Sequence, residues 1–173
     1  LLLCQIASKR GAFVIGTAST EEKRKLALAH GANEVIDYTT KNFAEETKRI
    51  TNGKGVQVVY DSVGKTTFDA SLDALAKRGM LVLFGQSSGP VPPVDPQILN
   101  RKGSLFLTRP TLHDHVATRE ELEWRAKELL EWVHGHQMSV RIGARFSLDK
   151  AGDAQTALAA RKTTGKVLLT PPA

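Results

Sequence analysis

The 173-residue sequence contains a single cysteine, only two tyrosines and two tryptophans, and no long hydrophobic run. One cysteine makes no internal disulfide, so a reducing, cytoplasmic setting is the expectation, and Cys4 reads as a small buried hydrophobe in a helix. The apolar stretches are broken by Gly or charge within about ten residues, well short of the ~20 that a bilayer-spanning helix needs. The opening Leu1-Leu2-Leu3-Cys4-Gln5-Ile6 has neither the basic region nor the small-residue cleavage site of a signal peptide. Several chemical signatures are missing too. No G-x-S-x-G elbow presents a serine nucleophile. His113/His115 and His134/His136 have no Cys and no Glu-x-x-His to complete a tetrahedral metal set, so they read as solvated loop histidines. The formal charge of +6 comes without a basic block. Lys and Arg alternate with acids, as in Glu21-Glu22-Lys23-Arg24-Lys25, and no aromatics interleave with them, so nucleic-acid binding is not expected.

What is present is an alternation of two periods. Short, nearly continuous apolar runs lie at Phe13-Val14-Ile15, Glu34-Val35-Ile36, Val56 to Tyr60, Met80 to Phe84, Ser104 to Leu107 and Lys166 to Leu169. Such runs suit strands covered on both faces. Between them lie helices with legible ends. Ser19 and Glu22 form a capping box before Leu26, and Gly31 closes that helix. Phe43, Thr47 and Ile50 share a face before Asn52-Gly53. Phe68, Leu72 and Leu75 recur at helical spacing, with Lys77-Arg78 at the negative end and Gly79 after it. Thr118 and Glu121 form a second capping box, opening the longest helix with an expected inner face of Leu122, Ala126, Leu129, Leu130 and Val133. A last helix is expected from about Asp149 to Arg161. This order predicts an α/β fold, a doubly wound parallel sheet of the Rossmann type, with ligands at the carboxyl ends of the strands.

The chain opens inside a helix, with Leu2, Leu3, Ile6 and Ala7 on its apolar face and Gly11 at its end. A dinucleotide-binding fold puts its first strand and Gly-rich turn before such a helix. No G-x-G-x-x-G stands at a strand-to-helix junction, so the first strand and the Gly-rich turn are expected to be missing and the chain to be a truncated piece.

Four segments carry candidate chemistry. In Gly16-Thr17-Ala18-Ser19-Thr20-Glu21-Glu22-Lys23 the strand end lacks the carboxylate that would hold a ribose 2′-hydroxyl. Ser19, Thr20, the helix N-terminus and Lys23 supply donors suited to a 2′-phosphate, and the alternative is an ordinary capped helix with a solvated Lys. Val58-Val59-Tyr60-Asp61-Ser62-Val63-Gly64 and Phe84-Gly85-Gln86-Ser87-Ser88-Gly89 each place a small polar residue and Gly at a strand exit, where a ligand can approach backbone. Taken singly each is a plain strand-to-loop exit; together they outline one crevice. Arg109-Pro110 follows the next strand, with Pro110 setting the exit direction.

These runs, together with Ile98-Leu99-Asn100-Arg101-Lys102-Gly103-Ser104-Leu105, Leu107-Thr108-Arg109-Pro110-Thr111-Leu112 and the closing Arg161-Lys162-Thr163-Thr164-Gly165-Lys166-Val167-Leu168-Leu169, resemble the bacterial quinone oxidoreductases. Those belong to the zeta-crystallin-like, zinc-free branch of the medium-chain dehydrogenase/reductase superfamily. The resemblance implies NADPH as hydride donor, a quinone as acceptor and a GroES-like substrate domain before this one, toward which about 139–173 would return. It implies that Ser19, Thr20 and Lys23 hold the 2′-phosphate and that Tyr38 lies beside the adenosine. Ser62 would line the crevice, and Gly85, Gln86, Ser87 and Ser88 would follow the ribose and nicotinamide. Pro110, Thr111 and Leu112 would bound the nicotinamide, with Arg161 reaching the cofactor. Pairing as a homodimer through edge strands near Ser104 to Leu107 is implied as well. No acid or base for catalysis is identified. The rivals are an enone or alkenal reductase on the same scaffold, and a non-catalytic lens or RNA-binding relative. A methyltransferase on a similar sheet would want an acidic strand end near Thr17.

Overall fold

The computed structural model describes residues 1–160 and 162–172, and the chain gathers into two compact units. One comprises 1–16, 20–35 and 125–173, the other 17–19 and 36–124. The class is α/β, as expected, with parallel strands. Among the described residues no helix is long and apolar enough to cross a membrane.

The larger central segment is organised on a three-stranded parallel sheet: β3 (Val56–Asp61), β4 (Leu75–Leu83) and β5 (Phe106–Thr108), in that order. Its core is one cluster of Phe68, Leu72, Leu75, Leu81, Leu83 and Leu105, with Val56, Val59, Val91, Ile98 and Leu99 packed around it. Leu81, on the central strand, is fully buried, as is Leu72 on α4 (Phe68–Ala74). Burying each such side chain contributes ~1.5–3 kcal/mol. The helix α3 (Phe43–Ile50) is capped by Asn42, whose Oδ1 accepts from the amides of Ala44 and Glu45.

Helix α4 is shorter than the sequence periodicity predicts. It stops at Ala74, and Leu75 already belongs to β4. Lys77-Arg78-Gly79 is therefore not a helix end but a bulge: β3 and β4 pair at Val56↔Leu75 and next at Val58↔Met80, so 76–79 lie opposite Gln57 alone. Arg78 takes φ 60° there and its amide donates to the Gly103 carbonyl at 2.8 Å. The Lys48 ammonium donates to the Leu75 carbonyl at 2.8 Å, satisfying an acceptor at the junction. Two short helices not expected from sequence, α5 (Gln97–Arg101) and α6 (Leu112–His115), flank β5.

Upstream, β1 (Ile15–Ala18) pairs with β2 (Glu34–Asp37) as a separate sheet. The first strand starts later than expected, at Ile15 instead of Phe13. The Asn33 side chain takes the Val14 amide at 2.8 Å, which replaces a ladder bond with a turn contact, and Phe13 is left exposed. Helix α1 (Leu2–Lys9) packs on the turn after α2 (Glu21–Ala29). A Cβ on Gly31 would lie 2.9 Å from Ser8 Cβ, and the glycine holds φ 96°.

Toward the C-terminus, α7 (Arg119–His134) opens on the reciprocal capping box that the sequence predicts. The Thr118 amide donates to Glu121 Oε2 and the Glu121 amide to Thr118 Oγ1, both at 3.2 Å. Its expected inner face is not buried: Leu122, Leu129 and Leu130 are exposed. The residue engaged instead is Trp132, with the Lys9 and Arg10 cations 5.2 and 5.4 Å from its ring centroid. The Gln5 side chain clasps Ser139, donating to its carbonyl at 3.0 Å and accepting from its amide at 2.8 Å. The strand β6 (Ile142–Ser147), unrecognised in the sequence, pairs in parallel with β7 (Lys166–Thr170). A 3₁₀ turn (Leu148–Lys150) and α8 (Ala151–Ala159) connect them in place of one continuous helix.

Candidate functional site

The carboxyl ends of β3, β4 and β5 lie side by side, since Asp61 pairs with Leu83 and Val82 with Thr108. That register puts Ser62, the 85–88 segment and the Arg109 to Leu112 segment at neighbouring strand exits. Two of these loops are stitched together. The Phe84 and Gly85 amides donate to the Asp61 carbonyl at 2.9 and 3.3 Å, Ser87 to the Ser62 carbonyl at 3.2 Å, and Ser88 to the Val63 carbonyl at 2.8 Å. Ser88 Oγ adds a bond to the same Val63 oxygen at 2.7 Å and accepts from the Thr66 amide at 3.1 Å. Its hydroxyl is thus occupied by the fold. Ser62, Gln86 and Ser87 keep exposed side chains.

The glycines here have a reason that the sequence alone does not disclose. A Cβ on Gly85 would stand 2.4 Å from the Ser62 carbonyl oxygen, and one on Gly64 2.9 Å from the Gly89 carbonyl oxygen and 3.1 Å from Gln86 Cα. The close approach that demands glycine comes from the chain's own backbone.

Under both loops sits Asp61, buried, to which the sequence reading gives no role of its own. Its Oδ1 accepts from the amides of Val63 at 2.7 Å and Gly64 at 3.1 Å, and Oδ2 accepts from Thr67 Oγ1 and Ser71 Oγ, each at 2.8 Å. Among the described residues no buried side-chain polar atom lacks a partner. The signal was there to read: an Asp followed by Ser-Val-Gly is an Asx-turn pattern, and Thr67 and Ser71 stand four residues apart at the N-cap and in the following helix.

At the exits of β1 and β2 the residues fall as follows. β1 ends in buried Ala18, and no carboxylate occupies that strand end. Helix α2 is capped by Thr20, not by Ser19 as the capping-box spacing suggests. Thr20 Oγ1 accepts from the Lys23 amide at 3.3 Å, and the Thr20 backbone is extended as an N-cap requires. Ser19 is half-buried and Lys23 half-exposed one turn into the helix. Glu21 in the same turn is neutralised by Lys25 at 2.6 Å. Tyr38 is exposed after β2, where Asp37 Oδ1 accepts from the Thr39 amide and hydroxyl at 3.0 and 2.6 Å. Pro110 is half-buried, Thr111 precedes α6 without capping it, and Leu112 is largely exposed. Arg161 lies outside the described residues.

Residues 1–133 match the zinc-binding dehydrogenase family. The chain belongs to that family. It is 48% identical over 171 residues to the quinone oxidoreductase of Pseudomonas aeruginosa, covering 99% of this chain and 53% of the relative. It is 42% identical to a 2-haloacrylate reductase of Burkholderia, covering 94% of this chain and 49% of that one. Among solved structures, Escherichia coli quinone oxidoreductase complexed with NADPH superposes with a TM-score of 0.94 at 44% identity, covering 98% of this chain and 53% of the other. The chain therefore spans about half the length of the relatives it matches. Among the described residues no group of three or more His, Cys, Asp or Glu is arranged to hold a metal ion. His113 and His115 are exposed on α6, on a helix and not in the loop expected, and His134 and His136 are exposed at the end of α7.

Proposed function

We propose that this chain is the nucleotide-binding part of an NADPH-dependent quinone reductase. The observation that carries the reading is the alignment of three parallel strand ends with braced loops at 62–67 and 85–89; a donor run at the start of α2, with no carboxylate on β1's end, supports it independently. When bound, NADPH supplies a hydride to the quinone, which takes up a proton to leave as the hydroquinone. The chain's own residues bind and orient. Ser19, Thr20 and Lys23 receive the 2′-phosphate, and Tyr38 covers the adenosine. Ser62 and Gly85 to Ser88 form one wall for the ribose and nicotinamide, with Pro110, Thr111 and Leu112 bounding the ring. Positioning of the two reactants and exclusion of water supply the rate gain. Arg161 is the remaining cofactor contact proposed.

A second reading, reduction of an activated alkene, is favoured by the similarity to the 2-haloacrylate reductase. Comparing a simple quinone with an enone on the full-length protein, with NADPH as donor, decides between them. Turnover of the quinone with a clearly higher kcat/KM supports the first reading, and the opposite ranking replaces it with the second.

We further propose a homodimer formed through β5. Among the described residues this strand pairs with β4 alone, and it leaves Phe106 and Leu107 exposed. Unpaired strand edges bearing large apolar side chains are templates for pairing with a second copy.

A further inference from the structure

Among the described residues of the 36–124 unit, the buried polar side chains are Thr47, Ser71 and the charged one, Asp61, at 4% exposure, and no step of the proposed reaction uses the Asp61 carboxylate. Its contacts divide into two sets. On one side it takes the Val63 and Gly64 amides, which turns the backbone immediately after β3. On the other it takes the Thr67 and Ser71 hydroxyls, which moors that turn to the N-cap and the start of α4. Thr67 Oγ1 also lies 3.0 Å from Oδ1. The orientation of the turned peptides then fixes where their carbonyls point. Ser62 and Val63 direct theirs at the Ser87 and Ser88 amides, and the Lys65 amide returns a bond to the Gly89 carbonyl at 3.2 Å. Within the second loop the Gly89 amide donates to the Gln86 carbonyl at 2.9 Å, and among the described residues no buried carboxylate anchors it as Asp61 anchors the first. Its Ser87 and Ser88 amides and the Ser88 hydroxyl bind the first loop.

We infer that Asp61 is a positioning residue for coenzyme binding, setting the 62–67 turn and through it the 85–89 wall without touching the coenzyme. This deepens the proposed NADPH reading and rests on it. The chemistry favours Asp over its amide. A carboxylate offers about four acceptor sites, whereas Asn offers two on one oxygen and places donors at the other position. An amide therefore cannot accept from two backbone amides and two hydroxyls at once, and the charge-assisted strengthening is lost. Because the wall is common to both coenzymes, the effect of Asp61 is indifferent to the 2′-phosphate.

The test uses the full-length protein with Asp61→Asn and, as a stability control outside this network, Thr118→Ala, which breaks one arm of the α7 capping box. Asp61→Asn is expected to weaken NADPH and NADH alike by about tenfold, and to speed amide hydrogen exchange at Ser87 and Ser88 before coenzyme is added. Thr118→Ala is expected to lower Tm while leaving both affinities and the Ser87 and Ser88 exchange unchanged. If Asp61→Asn lowers Tm but leaves the affinities and that exchange at wild-type values, or if Thr118→Ala reproduces its effects, the positioning role is overturned. A wild-type protein that binds neither coenzyme overturns the NADPH reading instead. The exchange at Ser87 and Ser88 then still decides whether Asp61 sets the second loop.

Discussion

Gly85 lies against Ser62 so closely that a side chain on the glycine would meet the serine carbonyl oxygen at 2.4 Å and its Cα at 2.8 Å. The contact joins the exits of two neighbouring strands, backbone to backbone, and neither partner can rotate away. Gly85→Ala is therefore expected to be destabilising at the upper end of the ~1–3 kcal/mol typical of overpacking. Equilibrium urea denaturation measures it. A midpoint within error of wild type would show that the loops separate without penalty.

Lys23 sits one turn into α2, behind a cap formed by Thr20. If it receives a 2′-phosphate, Lys23→Ala should weaken NADPH by about tenfold to a hundredfold, the value of one charge-assisted bond of ~1.5–3 kcal/mol. NADH affinity should stay near wild type, and the contrast grows weaker as salt rises. Fluorescence titration with each coenzyme reads this out, and equal losses for the two would remove Lys23 from the phosphate site.

The Thr118–Glu121 pair gives a prediction that separates folding from function. Thr118→Ala breaks one arm of the capping box and should cost ~1 kcal/mol. The first turn of α7 should lose amide protection, with coenzyme affinity unaltered. A fall in affinity as large as that of Lys23→Ala would mean that the α7 entrance bears on the coenzyme site.

Leu107 is exposed on β5, whose free edge is proposed to pair with a second copy. Leu107→Glu on the full-length protein should shift sedimentation from dimer to monomer, because like charges face one another across a two-fold edge. A wild-type protein that sediments as a monomer at all concentrations, or a variant that remains dimeric, would place any interface elsewhere.

The sequence by itself determined the class and most of the elements, because these depend on local rules. Apolar runs bounded by glycine marked β2, β3 and β7, and the Thr118–Glu121 spacing marked the start of α7. The strand exits bearing Ser62 and 85–88 were legible as candidate wall segments for the same reason. What it left undecided depends on which neighbour wins. Asn33 took the Val14 amide and moved the start of β1, and the pull of β3 on Leu75 cut α4 short at Ala74. Thr20 took the cap from Ser19, and β6 carried too few apolar residues to stand out. Only the tertiary structure showed that Gly64 and Gly85 yield to backbone across the loop, that Ser88 is a brace, and that Asp61 ties the arrangement together. Apart from the Asp61 bonds to the Val63 and Gly64 amides, those roles arise from contacts between residues six to twenty-five apart in the chain, and a local pattern cannot say which of several buried-capable polar groups will be enclosed and satisfied together.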